Sequence, residues 1–193
     1  VSATRSNPEG ARDIAYASAQ RITEELADAG VKVICALPET WLGALLDSLT
    51  SDHRFEVIPV AREEEGVGIV TGFFFGGKPG AVLMSNSGFL TCACALNGLA
   101  TRAGIPMLLL ISQRGELGET QVLQGDIASV TVGMLDGLGI KYFRLDDLEN
   151  VNVLRKALTL AYCHRAPIAV LLGRDALLGG AESAYWFREK IDR

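Results

Sequence analysis

The 193-residue chain has only two histidines, four cysteines and three methionines, and none falls in a metal-ligand pattern. A structural zinc site needs four Cys or His ligands in clustered pairs. Cys35, Cys92, Cys94 and Cys163 are not so spaced, and His53 and His164 lie far apart. A zinc-built fold is therefore excluded, and buried free thiols in a reducing cytosol are expected instead. Also missing are a Walker A sequence, a GxGxxG opening the first βα turn and a GxSxG elbow, and neither histidine falls in a strand-end loop. Those absences remove P-loop, dinucleotide and serine-hydrolase chemistry. No apolar run approaches the roughly 20 residues of a membrane helix, the longest being PMLLLI (106–111) and GIVTGFFFGG (68–77). The start, VSATRSNPEGARD, has no signal-peptide core, and its missing initiator methionine points to processing or trimming. Positive charge is short as well: 18 basic against 23 acidic residues give a net charge of −5. Scattered lysines and arginines in an acidic chain argue against nucleic-acid or anionic-membrane binding. A soluble cytoplasmic protein is expected.

What the chain has in abundance is apolar residues, 49% against 21% charged, richer than an ordinary soluble domain. At about 150 residues per domain, this length is one domain, with a deep core or an apolar surface meant for a partner. Helix-period and strand-like segments alternate. Strands are expected at 31–37, 55–60, 81–85, 106–112, 141–145 and 167–172. Helices are expected at 14–29 (after a turn at 7–10, with Gly30 as the stop), 40–49, 63–75, 91–102 and 148–164, with one more between the polar loop 113–124 and the fifth strand. The strands are continuous apolar runs, as when helices cover both faces of a parallel sheet. The fold class is α/β: one doubly wound domain with a six-stranded, mostly parallel sheet. The tail holding Tyr185, Trp186 and Phe187 loses the periodicity and is expected to dock on this domain or a neighbour.

Ligands of open α/β sheets gather beyond the carboxyl ends of the strands. Four loops there carry much of the polar chemistry: Pro38-Glu39-Thr40, Arg62 to Glu65, Asn86-Ser87-Gly88 and Gln113 to Glu116. The helix after the second strand opens with Glu63-Glu64-Glu65 and then has no charge at all. A helix apolar all round is expected to be buried all round. Gly66, Gly68 and Gly72 within it imply a close approach by another backbone or a ligand, since each weakens an exposed helix by about 1 kcal/mol. First-turn carboxylates favour the helix dipole. Successive residues point about 100° apart, so the three glutamates cannot all face one cleft.

The run VAREEEGVGIVTGFFFGGKPGAVLMSNSGFLTCACALNGLATRAGIPMLLLISQRGELGE (59–119 less its first residue) resembles the pyrimidine-binding domain of thiamine diphosphate enzymes. Within that superfamily it is most similar to sulfopyruvate decarboxylase alpha subunits and the matching part of phosphonopyruvate decarboxylases. The similarity covers residues 12–175, leaving 1–11 as an N-terminal extension and 176–193 as a C-terminal tail. In the superfamily a glutamate opens this helix with a glycine nine residues later, and Glu63 with Gly72 matches. The resemblance implies that Glu63 hydrogen-bonds N1′ of the cofactor aminopyrimidine and shifts it to the imino tautomer, starting decarboxylation of a 2-oxo acid. In a dry site such a glutamate exchanges a proton near neutral pH. Pro38, Glu39 and Asn86 match positions near the cofactor, Pro38 and Glu39 reaching the neighbouring active site. Ser87, Gln113 and Arg114 match substrate-facing positions. Arg114 has two readings, a guanidinium for an anionic substrate or a loop arginine paired with Glu116 or Glu119. Asn97 matches a position that supports its helix.

The family also needs a domain that holds the diphosphate through Mg²⁺ with a GDG motif, which is absent here; Gln124-Gly125-Asp126-Ile127 comes nearest, in the wrong context. The resemblance therefore implies a separate beta-type subunit holding the diphosphate and Mg²⁺, a heterotetramer or larger assembly, and active sites at the interface. The substrate implied is an anionic, sulfopyruvate- or phosphonopyruvate-like 2-oxo acid. A carboligase subunit of the same superfamily and a non-catalytic scaffold subunit remain as alternatives.

Overall fold

Six parallel strands form one sheet in the order β2-β1-β3-β4-β6-β5 in the computed structural model, which describes residues 8–117, 119 and 121–179. They are β1 (Val33–Ala36), β2 (Glu56–Pro59), β3 (Gly80–Ser85), β4 (Met107–Ser112), β5 (Lys141–Leu145) and β6 (Pro167–Leu172). The four central strands are buried at every residue, whereas the edge strands β2 and β5 are partly exposed. Continuous apolar runs thus mark the middle of the sheet, and the proline of β2 sits on an edge, where a missing donor is tolerated.

Alternate strand residues feed two cores. Ile34, Leu83, Leu108, Leu110 and Val170 face one of them, together with α1 (Pro8–Asp28) and α2 (Gly43–Ser51). Val33, Val82, Met84, Leu109 and Leu171 face the other, together with α3 (Glu63–Phe75). The second layer continues through the short α4 (Asn86–Phe89) and α5 (Ala93–Ala95), a π-helical stretch Leu96–Thr101, and α6 (Ile127–Leu138). The first is completed by α7 (Val153–His164) and α8 (Arg174–Leu178). The assignment follows from crossover handedness. Right-handed crossovers put connections that run in opposite directions along the sheet on opposite faces, and the chain reverses direction between β1→β2 and β2→β3.

Several expected elements differ in detail. Residues 8–10 of the expected turn are helical instead, α1 beginning at Pro8, as the fixed φ of proline suits a first helical residue. Its stop is as expected, with Gly30 at φ 92°. The helix expected at 91–102 begins earlier, at Asn86, and is broken into short pieces. The segment after β6 regains a helix, α8, closed by Gly179 at φ 65°. Tyr185, Trp186 and Phe187 lie outside the described residues. Cys35 and Cys92 are buried as expected, but Cys94 and Cys163 are exposed.

The two helical layers differ in what they show to solvent. The outer side of α1 carries Arg12, Asp13, Arg21, Glu24 and Asp28, and α7 carries Arg155 and Lys156. After its first turn α3 has no charged residue, residues 86–101 have none, and α6 has only Asp136. Only Gly66, Val67 and Val70 of α3 are buried by this chain, while Phe75 is 74% exposed. Leu99 and Val130 of the same layer are also exposed. The expectation that α3 is buried all round does not hold among the described residues, none of which covers its outer face.

Candidate functional site

The crossover reversal puts a crevice where the loops after β1 and β3 diverge, and ligands bind at such a switch point. Strand register carries the side chains there: Ala36 pairs with Leu83 and Ser85 with Ser112, so the loops after β1, β3 and β4 leave the sheet side by side.

The three glutamates at the start of α3 do different things. Glu65 Oε2 accepts from the backbone N–H groups of Ala61 (3.0 Å) and Arg62 (3.3 Å), closing the helix N-terminus. Glu64 pairs with Arg62 Nε at 3.1 Å. Glu63 turns inward against α4, where its carboxyl group lies over the Cα of Gly88; a β-carbon built there would fall within the carboxyl group and 2.8 Å from Glu63 Cγ. Gly88 itself is buried and pinned. Its N–H donates to the Ser85 hydroxyl (3.1 Å), and its carbonyl accepts from the Thr91 hydroxyl (2.8 Å) and the Cys92 thiol (3.6 Å). The Ser85 hydroxyl also pairs with that of Ser87 at 2.9 Å. Burial pushes the Cys92 thiol up to about 12, and the nearby Glu63 and Glu64 carboxylates act in the same direction; Cys92 is an inert wall residue.

Beside it, the loops after β1 and β4 are joined through Arg114. Its Nε and Nη2 donate to both oxygens of Glu119 (2.7 and 3.0 Å), and its Nη1 donates to Glu39 Oε1 (2.8 Å). The Trp41 ring lies 4.2 Å from the guanidinium carbon. Glu39 Oε2 accepts from the Ser112 hydroxyl at 3.1 Å, and the Arg114 carbonyl accepts from Asn86 Nδ2 at 2.9 Å. The Arg114 side chain is 4% exposed and that of Glu119 6%. Burial by itself would raise the Glu119 carboxyl, but hydrogen bonds from Arg114 and from the N–H groups of Gln121 and Gly115 outweigh it and bring it to about 2. Burial likewise opposes the charge on Arg114, and the two carboxylates more than restore it.

The structure therefore links Glu39, Asn86 and Arg114 in one cluster; Gln113 is buried next to Arg114 in the chain, Glu63 stands against Gly88, the Ser87 hydroxyl pairs with Ser85, and Pro38 is exposed. Of the two readings of Arg114 it favours ion pairing, with Glu119 and Glu39. Glu116 is engaged elsewhere, by Arg144. Arg114 does not present its guanidinium to the crevice, because two carboxylates and an indole ring occupy its surroundings. Asn97 is exposed and so does not brace its helix from within this chain. Among the described residues Asn86 Oδ1 and Gln113 Oε1 are buried without a hydrogen-bond partner, an arrangement native proteins seldom keep without a reason. Trp41 and Ser112 were not legible as site residues, since each reads as an ordinary core residue until the loops are brought together, and Gly88 was legible only as part of its loop. Among the described residues no group of three or more His, Cys, Asp or Glu side chains is placed to hold a metal ion.

Comparison with known proteins identifies the family. Residues 17–132 match the family model "Thiamine pyrophosphate enzyme, N-terminal TPP binding domain". The alpha subunit of sulfopyruvate decarboxylase from Methanococcus maripaludis is 33% identical over 90% of this chain and 99% of its own. Phosphonopyruvate decarboxylase from Streptomyces hygroscopicus is 28% identical over 63% of this chain and 30% of its own. In structure, a 2-oxoglutarate:ferredoxin oxidoreductase from Magnetococcus marinus superposes with a TM-score of 0.70 at 17% identity, over 83% of this chain and 29% of that one, a likeness of fold. With more than half of its length matched by that model, the chain belongs to the thiamine pyrophosphate enzymes, as an N-terminal TPP-binding domain.

Proposed function

We propose that this chain is the pyrimidine-binding subunit of a two-chain thiamine diphosphate-dependent decarboxylase acting on an anionic 2-oxo acid of the sulfopyruvate or phosphonopyruvate type. The observation that carries the proposal is the inward turn of Glu63 while Glu64 and Glu65 serve their own helix end. The site fits the aminopyrimidine end of the cofactor. A carboxylate stands over a glycine that offers no side chain, and buried acceptors on Asn86 and Gln113 lack partners. When bound, thiamine diphosphate supplies the electron sink for the pair left by departing carbon dioxide.

The chain's own residues position and transfer protons. With thiamine diphosphate bound, Glu63 would hold the proton shared with ring N1′. Asn86 would stand beside the cofactor, while Ser87 and Gln113 would line the substrate side. Pro38 and Glu39 shape the rim that faces the neighbouring chain. Arg114 fixes Glu39 and the loop after β4, and it would meet a substrate anion only by exchanging one of its carboxylates. The diphosphate and Mg²⁺ fall to a beta-type subunit. The names of the alpha-subunit relatives support such a partner, as does the uncovered apolar layer of α3.

The test is Glu63→Gln in the chain co-purified with its partner. We expect turnover of a 2-oxo acid to fall by about 10²–10⁴-fold, as for loss of a positioned acid–base group, with assembly intact by size-exclusion chromatography. Full turnover would overturn the assignment. Product analysis with and without an added aldehyde separates carbon dioxide release from carboligation.

A further inference from the structure

Gly88 occupies a helical position that has no backbone need for glycine. It lies in α4, outside the set of glycines with positive φ, and alanine is the better helix former. The reason for glycine is steric. The three atoms closest to a β-carbon at this position are Oε1, Cδ and Cγ of Glu63. No other part of the core competes for that space at shorter range. The shelf cannot retreat, because its N–H is held by Ser85 and its carbonyl by Thr91 and Cys92. Glu63 can move, as the end of a flexible side chain rooted on a different helix.

We propose that Gly88 is a positioning residue whose missing side chain sets where the Glu63 carboxyl group stands. This rests on the reading of Glu63 given above and adds a residue to it. A single methyl group at position 88 leaves the fold in place and pushes the carboxyl group off its shelf. The Ser85 hydroxyl serves the same end at one remove, since it fixes the Gly88 N–H.

A double-mutant cycle in the full chain tests the contact without relying on catalysis. Thermal midpoints are measured for the parent, Gly88→Ala, Glu63→Ala and the double variant. With Glu63 shortened to alanine, Gly88→Ala should raise the midpoint by up to about 2–4 °C, the gain from a better helix former in a domain of this size. With Glu63 present, the same change should bring no gain or a loss. Equal shifts in the two backgrounds would overturn the proposal. In the assembled enzyme Gly88→Ala should lower kcat by about 10²-fold with little change in substrate KM, the cost of a misplacement of about 1 Å. Gly88→Ala with unchanged kcat would also overturn it. If Glu63→Gln keeps full turnover while the thermal coupling is present, the reading of Glu63 fails and the contact stands. If the coupling is absent while Glu63→Gln is inactive, the contact fails and the reading stands.

Discussion

Arg114 and Glu119 show how a residue's surroundings decide between two roles that the sequence leaves open. A guanidinium at the end of a strand can serve a substrate or its own loops. Here it is buried, doubly bonded to Glu119 and singly to Glu39, with Trp41 alongside. Breaking such a buried pair from one side typically costs about 3–5 kcal/mol, because the remaining charge is left short of partners. Glu119→Gln should therefore lower stability well beyond a surface substitution, as read by urea denaturation at neutral pH. The pH dependence has a definite sign. The Glu119 carboxyl titrates at about 2 in the folded chain against an ordinary value of 4.5. Its contribution is thus complete above pH 4.5 and is lost as the pH falls from there towards 2. The parent should lose stability across that window, and Glu119→Gln should lose measurably less. Identical acid limbs would show that the pair contributes nothing to folding. Sequence alone offered Glu116 and Glu119 equally; the choice came from Arg144, which takes Glu116 from the far side of the loop.

At the scale of elements, α3 combines two demands that conflict in an isolated chain. Gly66 needs to be small because Val82 Cγ1 would stand 2.9 Å from a β-carbon there, so the helix lies tight on the sheet. Gly68 and Gly72 have nothing within 4 Å of theirs. Their smallness serves nothing among the described residues, but it would serve a partner that comes close. Gly72→Leu should consequently have opposite effects in two measurements. Helix propensity should raise the thermal midpoint of the chain alone by about 2–4 °C. Overpacking at the interface should weaken assembly by about tenfold or more. A rise in both would show that the outer face of α3 is free. The strand pattern, the stop at Gly30 and the span of α3 were legible because apolar periodicity and glycine punctuation are local signals. The breaks between Asn86 and Thr101 were not. Residues 87–101 (SGFLTCACALNGLAT) contain no proline or charge to mark them, and Ser85 caps a turn that sequence alone joins to the strand end. Likewise Cys94 and Cys163 fall in apolar runs yet face outward, since a short run does not say which side of a helix meets the core.

The molecule as a whole is two-faced, and that asymmetry accounts for the apolar excess noted in the composition. One helical layer is amphipathic in the ordinary way, while α3, the stretch 86–101 and α6 keep apolar groups on both sides. Leu117, Val122 and Leu123 are exposed on the loop after β4 as well. Exposed apolar surface of this kind marks an interaction site. Covering it with the beta-type subunit would release water from apolar groups, so association should show a negative heat-capacity change. Isothermal titration of this chain with its partner at several temperatures should give an enthalpy that becomes steadily more favourable on warming. Charge reversal at Lys156, on the exposed side of α7, should leave affinity within about twofold, as expected of a surface change away from the interface. An enthalpy independent of temperature, or an assembly lost on Lys156→Glu, would place the partner on the charged layer instead. That outcome would also separate the partner from Glu63, whose carboxyl group lies on the α3 side of the sheet. Completion of the active site by a second chain therefore depends on which of the two layers is covered.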